Sequence, residues 1–253
     1  MKKLLLLGPL FVFTACATKE SQIADYLKKN PKLVFDVIEE NPEQFIEVVN
    51  RAARKAQEGM QQKQLSEMRQ QQQEQIKNPL KPDLEKGRQL VGDANSKITI
   101  VEYADFQCPA CGAAFGSLKQ IKEKYKGQVQ FYYKNMPLSF HKQAEPAARY
   151  YEAVFLQDKT KALKYYEYIF ENQSRMRDDA FLKDAAKKLG VDMKRLATDL
   201  NSEKVTARIE SDMAEFEKFG FTGTPVILVN GVALHGAQPF EEIERVIGET
   251  LKN

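Results

Sequence analysis

Hydrophobic and polar positions along the chain predict three strands separated by helices. Runs rich in β-branched and aromatic residues, at 98–107, 129–134 and 226–229, are typical of buried strands. Asn230-Gly231 follows the third run and predicts a short hairpin. Helical spacing begins after the first run at Pro109 and closes the chain from Pro239. The predicted order is strand, helix, strand, a long helical region, hairpin and helix.

The long helical region divides into segments that each carry apolar residues at helical spacing. They cover 144–156, 162–170, 180–189, 193–200 and 205–219. Gly190 and Gly220 predict the ends of two of these helices. The core of the region is predicted to consist of its large aromatic residues, Tyr150, Tyr151, Tyr165, Tyr166 and Phe170.

The segment before the first strand has a different composition and predicts extended helices. Asn30-Pro31 and Asn41-Pro42 each place a helix N-cap residue before a proline at the first helical position. Apolar faces follow at 33–38 and 45–52, whereas 51–76 is rich in Gln, Lys and Glu. Two prolines at 79 and 82 indicate a linker. We expect a helical stalk over 17–80 that either spaces the next domain from a membrane or assembles copies of the chain through its apolar faces.

The first sixteen residues predict an export signal. Two lysines precede an apolar stretch at 4–13, which is too short to span a bilayer. The following Phe13-Thr-Ala-Cys16 resembles the lipobox of bacterial lipoproteins, with Phe13 where Leu is usual. The resemblance implies lipidation at Cys16, and an ordinary signal cleaved near Ala15 or Ala17 is the alternative. Both alternatives place the chain in a bacterial envelope, facing the periplasm. Residue 17 is Ala and not the Asp that retains enteric lipoproteins at the inner membrane, which favours the outer membrane.

Composition narrows the range of partners. The 253 residues include 38 basic and 35 acidic side chains, a net charge of +3, and no basic stripe with aromatic residues. Nucleic acid is therefore not an expected partner. Three cysteines are present, and if Cys16 carries lipid, Cys108 and Cys111 form the one remaining dithiol.

Cys108-Pro109-Ala110-Cys111 is the strongest chemical motif. Its two thiols lie one helical turn apart where a strand meets a helix, and a helix N-terminus favours the thiolate of Cys108. Cys111 is then placed to attack a mixed disulfide at Cys108. The alternatives are a structural disulfide, half of a zinc site for which only His141 and His235 remain, and a Cu(I) site with two soft ligands.

Two segments give the chain a specific family resemblance. Glu102-Tyr-Ala-Asp-Phe-Gln-Cys-Pro-Ala-Cys111 and Gly223-Thr224-Pro225 resemble the two active-site segments of DsbA-type thioredoxin-fold oxidoreductases, and the segment 136–141 is also similar. The resemblance covers roughly residues 90–253. It implies an α/β thioredoxin fold over 81–253 with a helical insertion at about 142–220, preceded by the extended α-helical N-terminal segment.

The resemblance also implies roles for single residues. Pro225 matches the cis-proline that faces the dithiol and, with Thr224, exposes backbone for pairing with substrate. Thr224 is similar to the Thr of disulfide isomerases. Glu102 matches a buried acid that takes the proton from Cys111, although a partly exposed strand acid is the alternative. Ala110 replaces the His of the most oxidising members, so we expect a lowered Cys108 pKa and a moderately oxidising couple.

These expectations define an exported thiol–disulfide oxidoreductase without a cofactor, acting as an oxidase or an isomerase. The expected partners are client proteins with cysteines or disulfides, a membrane redox partner that resets the dithiol, and the membrane itself through Cys16. The stalk resembles that of ScsC-like isomerases, which implies a homo-oligomer. A copper-binding envelope protein using the same thiols is the alternative function, and a binding module with a vestigial site is the third hypothesis.

Overall fold

The computed structural model describes residues 19–252. They divide into two units that meet between Ser66 and Glu67, and each unit is described by itself. Cys16 and the predicted signal segment 1–16 lie outside the described residues. No helix within 19–252 is long and apolar enough to cross a membrane.

The first unit consists of helices, as its sequence predicts. They are α1 (Lys19–Lys29), α2 (Lys32–Glu40) and the beginning of α3 (Pro42–Lys77). Helix α3 starts at Pro42 as predicted, whereas Pro31 precedes α2 as its N-cap. The side chains of Asn30 and Asn41 do not cap the helices that follow them.

Each asparagine instead closes the helix before it. The Asn30 amide donates to the Tyr26 carbonyl at 2.9 Å, and the Asn41 amide donates to the Val37 carbonyl at 3.0 Å. These bonds satisfy carbonyls that lack partners at a helix C-terminus. The Asn-Pro pairs therefore mark helix boundaries, but their polar side chains belong to the preceding helix.

The apolar faces of the first unit are exposed. Phe35, Val37 and Ile46 are 59%, 60% and 56% accessible, and none of the side chains described up to Ser66 is buried. Apolar side chains normally leave water when they can pack. This unit therefore carries an apolar surface without a core of its own among the described residues.

The second unit is built on a mixed sheet. Among the described residues it contains β1 (Ile98–Ala104), β2 (Val129–Asn135), β3 (Val226–Val229) and β4 (Val232–His235) in the order β2-β1-β3-β4. Strand β1 pairs parallel with β2 and antiparallel with β3, and β3 pairs antiparallel with β4. This is the predicted thioredoxin fold.

Alternation along β1 directs its side chains into two layers of core. Ile98 and Ile100 belong to the larger cluster, with α4 (Pro109–Lys124) and α10 (Phe240–Thr250). Val101 and Tyr103 belong to a smaller cluster on the opposite face. Glu102 shares the face of Ile98 and Ile100 because strand side chains alternate with a period of two. A carboxyl group thereby enters the larger core.

The predicted insertion consists of helices joined by short loops and turns. Its helices are α5 (Ala144–Gln157), α6 (Lys159–Glu171), α7 (Asp179–Lys188), α8 (Met193–Asp199) and α9 (Glu203–Lys218). The predicted core is confirmed, since Tyr151, Tyr165 and Tyr166 are fully buried and Tyr150 and Phe170 are nearly so.

The last turns of α3 belong to the second unit and lie against the sheet. Gln72 is 2% exposed and accepts a hydrogen bond from Arg245 of α10 at 2.6 Å. The Gln75 side chain accepts from the Ala233 amide of β4 at 2.8 Å. Edge strands leave such amides unpaired, so Gln75 covers part of that edge. The predicted domain boundary at residue 80 stays a prediction.

A buried ionic cluster joins the second unit's separate parts. Arg88 donates to Glu152 of α5 at 2.7 Å and to Asp212 of α9 at 2.5 Å. Asn135, at the end of β2, donates its backbone N–H to Asp212 and its side chain to Glu152. These four residues are at most 5% exposed. Removing one buried charge leaves its partners uncompensated. The loss of folding free energy is then larger than the net stabilisation that the ion pair provides.

Replacing Arg88 is therefore expected to destabilise the fold strongly. Arg88→Met should lower the free energy of unfolding by about 3–5 kcal/mol, because the buried Asp212 carboxylate loses its cation and Glu152 keeps only Arg208, 3.3 Å away. Urea denaturation at neutral pH measures the difference.

The matched control is Lys119→Met, since Lys119 pairs with Glu171 at 3.0 Å on the surface with 46% and 48% of the side chains exposed. This variant should unfold close to the wild-type midpoint. Equal effects of the two substitutions would show that the buried cluster does not stabilise the fold.

Candidate functional site

The site lies where β1 passes into α4. Cys108 is the N-cap of α4 with extended backbone (φ −71°, ψ 122°), and Pro109 occupies the first turn as predicted. The Cys108 carbonyl accepts from the Cys111 and Gly112 amides at 3.1 and 3.2 Å, which begins the helix. The Cys108 side chain consequently lies at the N-terminal end of α4, towards which the unpaired N–H groups of the first helical turn point.

The two thiols differ in accessibility. Both cysteines are unbonded; Cys108 is 8% exposed and Cys111 is fully buried. The Cys108 sulfur lies 3.6 Å from the Thr224 carbonyl oxygen. The Cys111 sulfur accepts from the Asp105 backbone N–H at 3.4 Å. A partner molecule can therefore reach Cys108, whereas Cys111 can be reached only through Cys108.

The pKa of Cys108 is lowered from 9.0 to about 5. The hydrogen bond from the Cys111 thiol is the main cause, with smaller contributions from the Thr224 hydroxyl and the Cys111 and Ala110 amides, while burial opposes them. A group with a depressed pKa stabilises the fold where it is ionised. The reduced form therefore gains stability as pH rises from about 5 towards 9 and loses it as pH falls through about 5.

The pKa of Cys111 moves in the opposite direction. Burial raises it strongly, and the hydrogen bond that the thiol gives to Cys108 raises it further. Glu102 adds to the rise through its negative charge. At neutral pH the site thus holds one thiolate and one thiol, which share a hydrogen bond.

Thr224 and Pro225 lie opposite the thiols. The peptide bond between them is cis, as the family resemblance implies. The Pro225 carbonyl accepts from the Gly236 amide at 2.8 Å, which ties this loop to the residue after β4. The Thr224 hydroxyl is buried without a hydrogen-bond partner of ordinary geometry in the described residues, and it lowers the pKa of both thiols.

Glu102 is fully buried in the core behind the cysteines. Burial raises its pKa from 4.5 to about 7, against the opposing effects of the Tyr166 hydroxyl and Lys122. Tyr166 donates to one carboxylate oxygen at 2.7 Å, and the other oxygen has no partner in the described part of the chain. The exposed-acid alternative for Glu102 is wrong. A carboxyl that changes charge near neutral pH is suited to exchange a proton with a thiol.

Comparison with known proteins identifies the family. A family model described as Thioredoxin matches residues 84–249. The chain belongs to the thioredoxin family. It is 31% identical over 175 residues to a Bacillus cereus protein named "Probable disulfide bond formation protein D", with 65% of this chain and 79% of that protein covered. This member of the thioredoxin family is a thiol–disulfide oxidoreductase.

Solved structures share the fold at lower identity. BdbD from Bacillus subtilis, in its oxidised form, superposes with a TM-score of 0.61 and 24% identity over 69% of this chain and 98% of that one. ScsC from Proteus mirabilis in a transitional conformation superposes with a TM-score of 0.59 and 22% identity, and the match covers 90% of this chain and 98% of that one. The DsbA-like thioredoxin fold implied by the sequence is therefore confirmed.

Lys122 was missed by sequence reasoning. It follows Cys111 along the inner face of α4, is 8% exposed, and has an ammonium group without a hydrogen-bond partner among the described residues. The ammonium lies 4.4 Å from the Phe131 ring centre and 4.8 Å from that of Tyr166, which is a cation–π geometry. Burial lowers the Lys122 pKa while Glu102 opposes this change. Its charge therefore favours an ionised Glu102.

Asp105 and His141 form a second unpredicted contact beside the thiols. The buried Asp105 carboxylate lies 2.7 Å from the His141 ring nitrogen Nδ1 and accepts from the Leu138 and Gln107 amides. It thereby fixes the turn whose backbone N–H reaches Cys111. The sequence indicates His141 only as one of the two histidines left for a zinc site. His141 meets Asp105 only because the segment 136–141 folds back onto the turn after β1, which local sequence patterns do not show.

Gln173 reaches the same turn from the insertion. Its side-chain amide donates to the Phe106 carbonyl at 2.9 Å and to the Cys108 carbonyl at 2.8 Å. Nothing local in the sequence indicates this contact, since 65 positions separate Gln173 from Cys108.

No group of three or more His, Cys, Asp or Glu residues suited to a metal ion occurs in residues 19–252.

The lowered Cys108 pKa can be measured directly. Alkylation of the reduced protein with iodoacetamide should titrate with a midpoint of about pH 5, followed by mass spectrometry. Cys111→Ala should move the midpoint upward, because it removes the main hydrogen bond to the thiolate. Wild-type Cys111 should stay unmodified over the same range and serves as the internal reference. A midpoint near the ordinary value of 9.0 would contradict this site geometry.

Glu102 should destabilise the fold above neutral pH, because its raised pKa favours the protonated form in the native state. A shift from 4.5 to about 7 corresponds to about 3 kcal/mol once the group is ionised. Glu102→Gln in the reduced protein should accordingly be more stable than wild type at pH 8 and nearly equal to it at pH 4, as measured by urea denaturation.

Glu123→Gln is the matched control, because Glu123 is an exposed carboxylate on α4. It should leave unfolding unchanged at both pH values. A Glu102→Gln variant with no pH-dependent gain would mean that Glu102 is not a neutralised buried acid.

Proposed function

We propose that the chain exchanges disulfides with cysteine-containing client proteins in the bacterial envelope, with Cys108 as the attacking sulfur and Cys111 as the resolving one. The observation that carries the proposal is the opposite shift of their pKa values, about 5 for Cys108 and strongly raised for Cys111. The more accessible sulfur, that of Cys108, must be a thiolate that is also a good leaving group. A protonated Cys111 thiol does not attack the mixed disulfide before the client has reacted.

In oxidation, a client thiolate attacks Cys108 in the Cys108–Cys111 disulfide. The bond between the two cysteines breaks, and Cys111 leaves and takes up a proton. A second client thiolate attacks the client sulfur of the mixed disulfide, which forms the client disulfide and releases Cys108 as a thiolate. Two electrons pass from the client to the cysteine pair. A membrane redox partner must then accept these electrons and restore the disulfide.

In isomerisation, the Cys108 thiolate attacks one sulfur of a wrong client disulfide. The client disulfide bond breaks, its other sulfur leaves as a thiolate, and a mixed disulfide with Cys108 forms. Another client thiolate then displaces Cys108, so a new client disulfide forms with no net electron transfer. If Cys111 attacks first, the client leaves reduced and the pair becomes oxidised. Thr224 beside the thiols and the apolar stalk support isomerase as well as oxidase activity.

Glu102 would move the proton on Cys111. As its pKa lies at about 7, its protonated form can supply a proton when Cys111 leaves, and its ionised form can accept one when Cys111 attacks. Thr224 and Pro225 would hold the client backbone, because the Thr224 carbonyl lies 3.6 Å from the Cys108 sulfur.

Export and membrane attachment belong to the same proposal. The lipobox-like Cys16 would carry the lipid and hold the chain at the outer membrane with its catalytic domain in the periplasm. Oxidising surroundings of this kind permit disulfide chemistry. Two Bacillus relatives of this chain carry the name disulfide bond formation protein D, which supports clients that acquire disulfides.

The first unit would assemble copies of the chain. Its exposed apolar side chains include Leu33, Val34, Val37, Phe45, Ile46 and Val49. They repeat at helical spacing along α2 and the start of α3, so copies packed face to face would remove them from water. Several active sites would then be linked in one particle.

Copper binding through Cys108 and Cys111 has less support. A thiol coordinates a metal as the thiolate, and the Cys111 pKa is strongly raised. If the purified protein contained Cu(I) and had no disulfide-exchange activity, copper binding would replace disulfide exchange as the proposed function.

Trapping of mixed disulfides tests the proposed roles of the two cysteines. Cys111→Ser should accumulate client proteins joined to Cys108, because the resolving thiol is missing, and non-reducing electrophoresis should show them as bands sensitive to reductant. Cys108→Ser is the matched control and should trap none. Similar adducts with both variants would contradict the assignment of Cys108 as the attacking sulfur.

The redox state in cells separates the two directions of the reaction. Free thiols in cells are alkylated, and the mass shift of the protein then reports how much of it is reduced. An oxidase should be mostly oxidised and an isomerase mostly reduced.

Light scattering on the soluble chain without residues 1–16 tests assembly of the first unit. We expect a mass of two or more copies, and Phe45→Glu should reduce it to one because a charge would enter the apolar contact. Gln61→Glu, on an exposed and polar part of α3, is the control and should leave the assembly intact. A monomeric wild-type protein would contradict assembly.

A further inference from the structure

The helical insertion makes a direct contact with the active-site turn through one side chain. Gln173 opens a single turn of 3₁₀ helix, Gln173–Arg175, between α6 and α7. From there its amide reaches the two carbonyls of Phe106 and Cys108 at 2.9 and 2.8 Å. Both N–H bonds of the amide nitrogen are used, so the side chain bridges the turn that leads from β1 into α4.

The Cys108 carbonyl is the acceptor on which the first turn of α4 depends. It also receives the Cys111 and Gly112 amides at 3.1 and 3.2 Å. A carbonyl with a donor from outside the helix is held in place more firmly than one exposed to water. The N–H groups of Ala110 and Cys111, which lower the Cys108 pKa, belong to this same turn.

Gly112 provides the space that Gln173 occupies. A Cβ atom added at Gly112 would overlap the Gln173 Oε1 atom and lie 3.1 Å from its Cδ atom. Gly112 lies inside a helix, where Ala is about 1 kcal/mol more favourable than Gly. Helix formation therefore does not explain a glycine here, whereas the position of the Gln173 side chain does.

We propose that Gln173 is a positioning residue that holds the Cys108 turn in its reactive conformation, and that Gly112 is required to admit it. The inference rests on the proposed role of Cys108 as the attacking sulfur. It assigns the insertion a part in the exchange reaction: its docking on the thioredoxin core sets the geometry of the thiolate.

Loss of the amide is expected to change reactivity more than stability. Gln173→Met keeps a side chain of similar length but removes both hydrogen bonds, so the turn can relax and the N–H groups around the sulfur lose their alignment. If the midpoint for Cys108 alkylation rises by one unit from about 5, the rate of alkylation at that pH falls about fivefold. The reduction potential measured against glutathione should fall in parallel.

Gly112→Ala gives an independent way to break the contact. The new methyl group should expel the Gln173 amide and produce the same slowing as Gln173→Met. The double variant with both substitutions should be no slower than either single variant, because both remove one interaction. Thermal unfolding of all variants shows whether they are folded.

Gly116→Ala is the matched control on the same helix. A Cβ atom there meets nothing within 4 Å, so the variant should keep the wild-type alkylation midpoint and potential. The proposal is overturned if Gln173→Met and Gly112→Ala are folded and also keep both values, or if their effects add in the double variant.

Failure of this inference can be told apart from failure of the proposed function. Cys108→Ser must abolish disulfide exchange if Cys108 is the attacking sulfur. When Cys108→Ser is inactive and the Gln173 and Gly112 variants match wild type, only the positioning role is refuted. When Cys108→Ser keeps activity, the proposed function itself is refuted.

Discussion

The site depends on how the sulfur of Cys108 is held at the first turn of α4. The Cys111 thiol, the Thr224 hydroxyl and the first amides of the helix all favour its ionised form, and together they outweigh the cost of burial. The turn at 105–108 that carries this sulfur is fixed by Asp105 and Gln173. The Thr224 carbonyl oxygen lies on the opposite side, 3.6 Å from the sulfur.

Burial of ionisable groups is used in two different ways in the second unit. Arg88 lies between the carboxylates of Glu152 and Asp212, and Arg208 adds a second cation 3.3 Å from Glu152, so this cluster holds two cations for two carboxylates. Glu102 is only partly compensated, by Tyr166 and by a lysine that stands over aromatic rings. Its incomplete compensation raises its pKa into the range in which proton transfer to a thiol is efficient.

Local sequence patterns predicted the strands, the Cys-Pro-Ala-Cys turn, the hairpin, the insertion helices and its aromatic core, because each depends on residues close together in the chain. Contacts between polar residues far apart were not predictable in this way. Gln173 and Cys108, His141 and Asp105, and Arg88 and Asp212 meet only after the insertion has folded back on the sheet. Gly112 is not a sufficient signal for the Gln173 contact, because Gly116 of the same helix has no such neighbour. Asn30 and Asn41 indicated boundaries correctly, although their side chains cap the preceding helices.

A thiolate stabilised in the reduced form makes a dithiol more oxidising. The reduction potential of the Cys108–Cys111 pair against glutathione is the most direct test. We predict a value between that of DsbA, about −120 mV, and that of thioredoxin, about −270 mV. A value below about −300 mV, in the range of structural disulfides, would contradict the account.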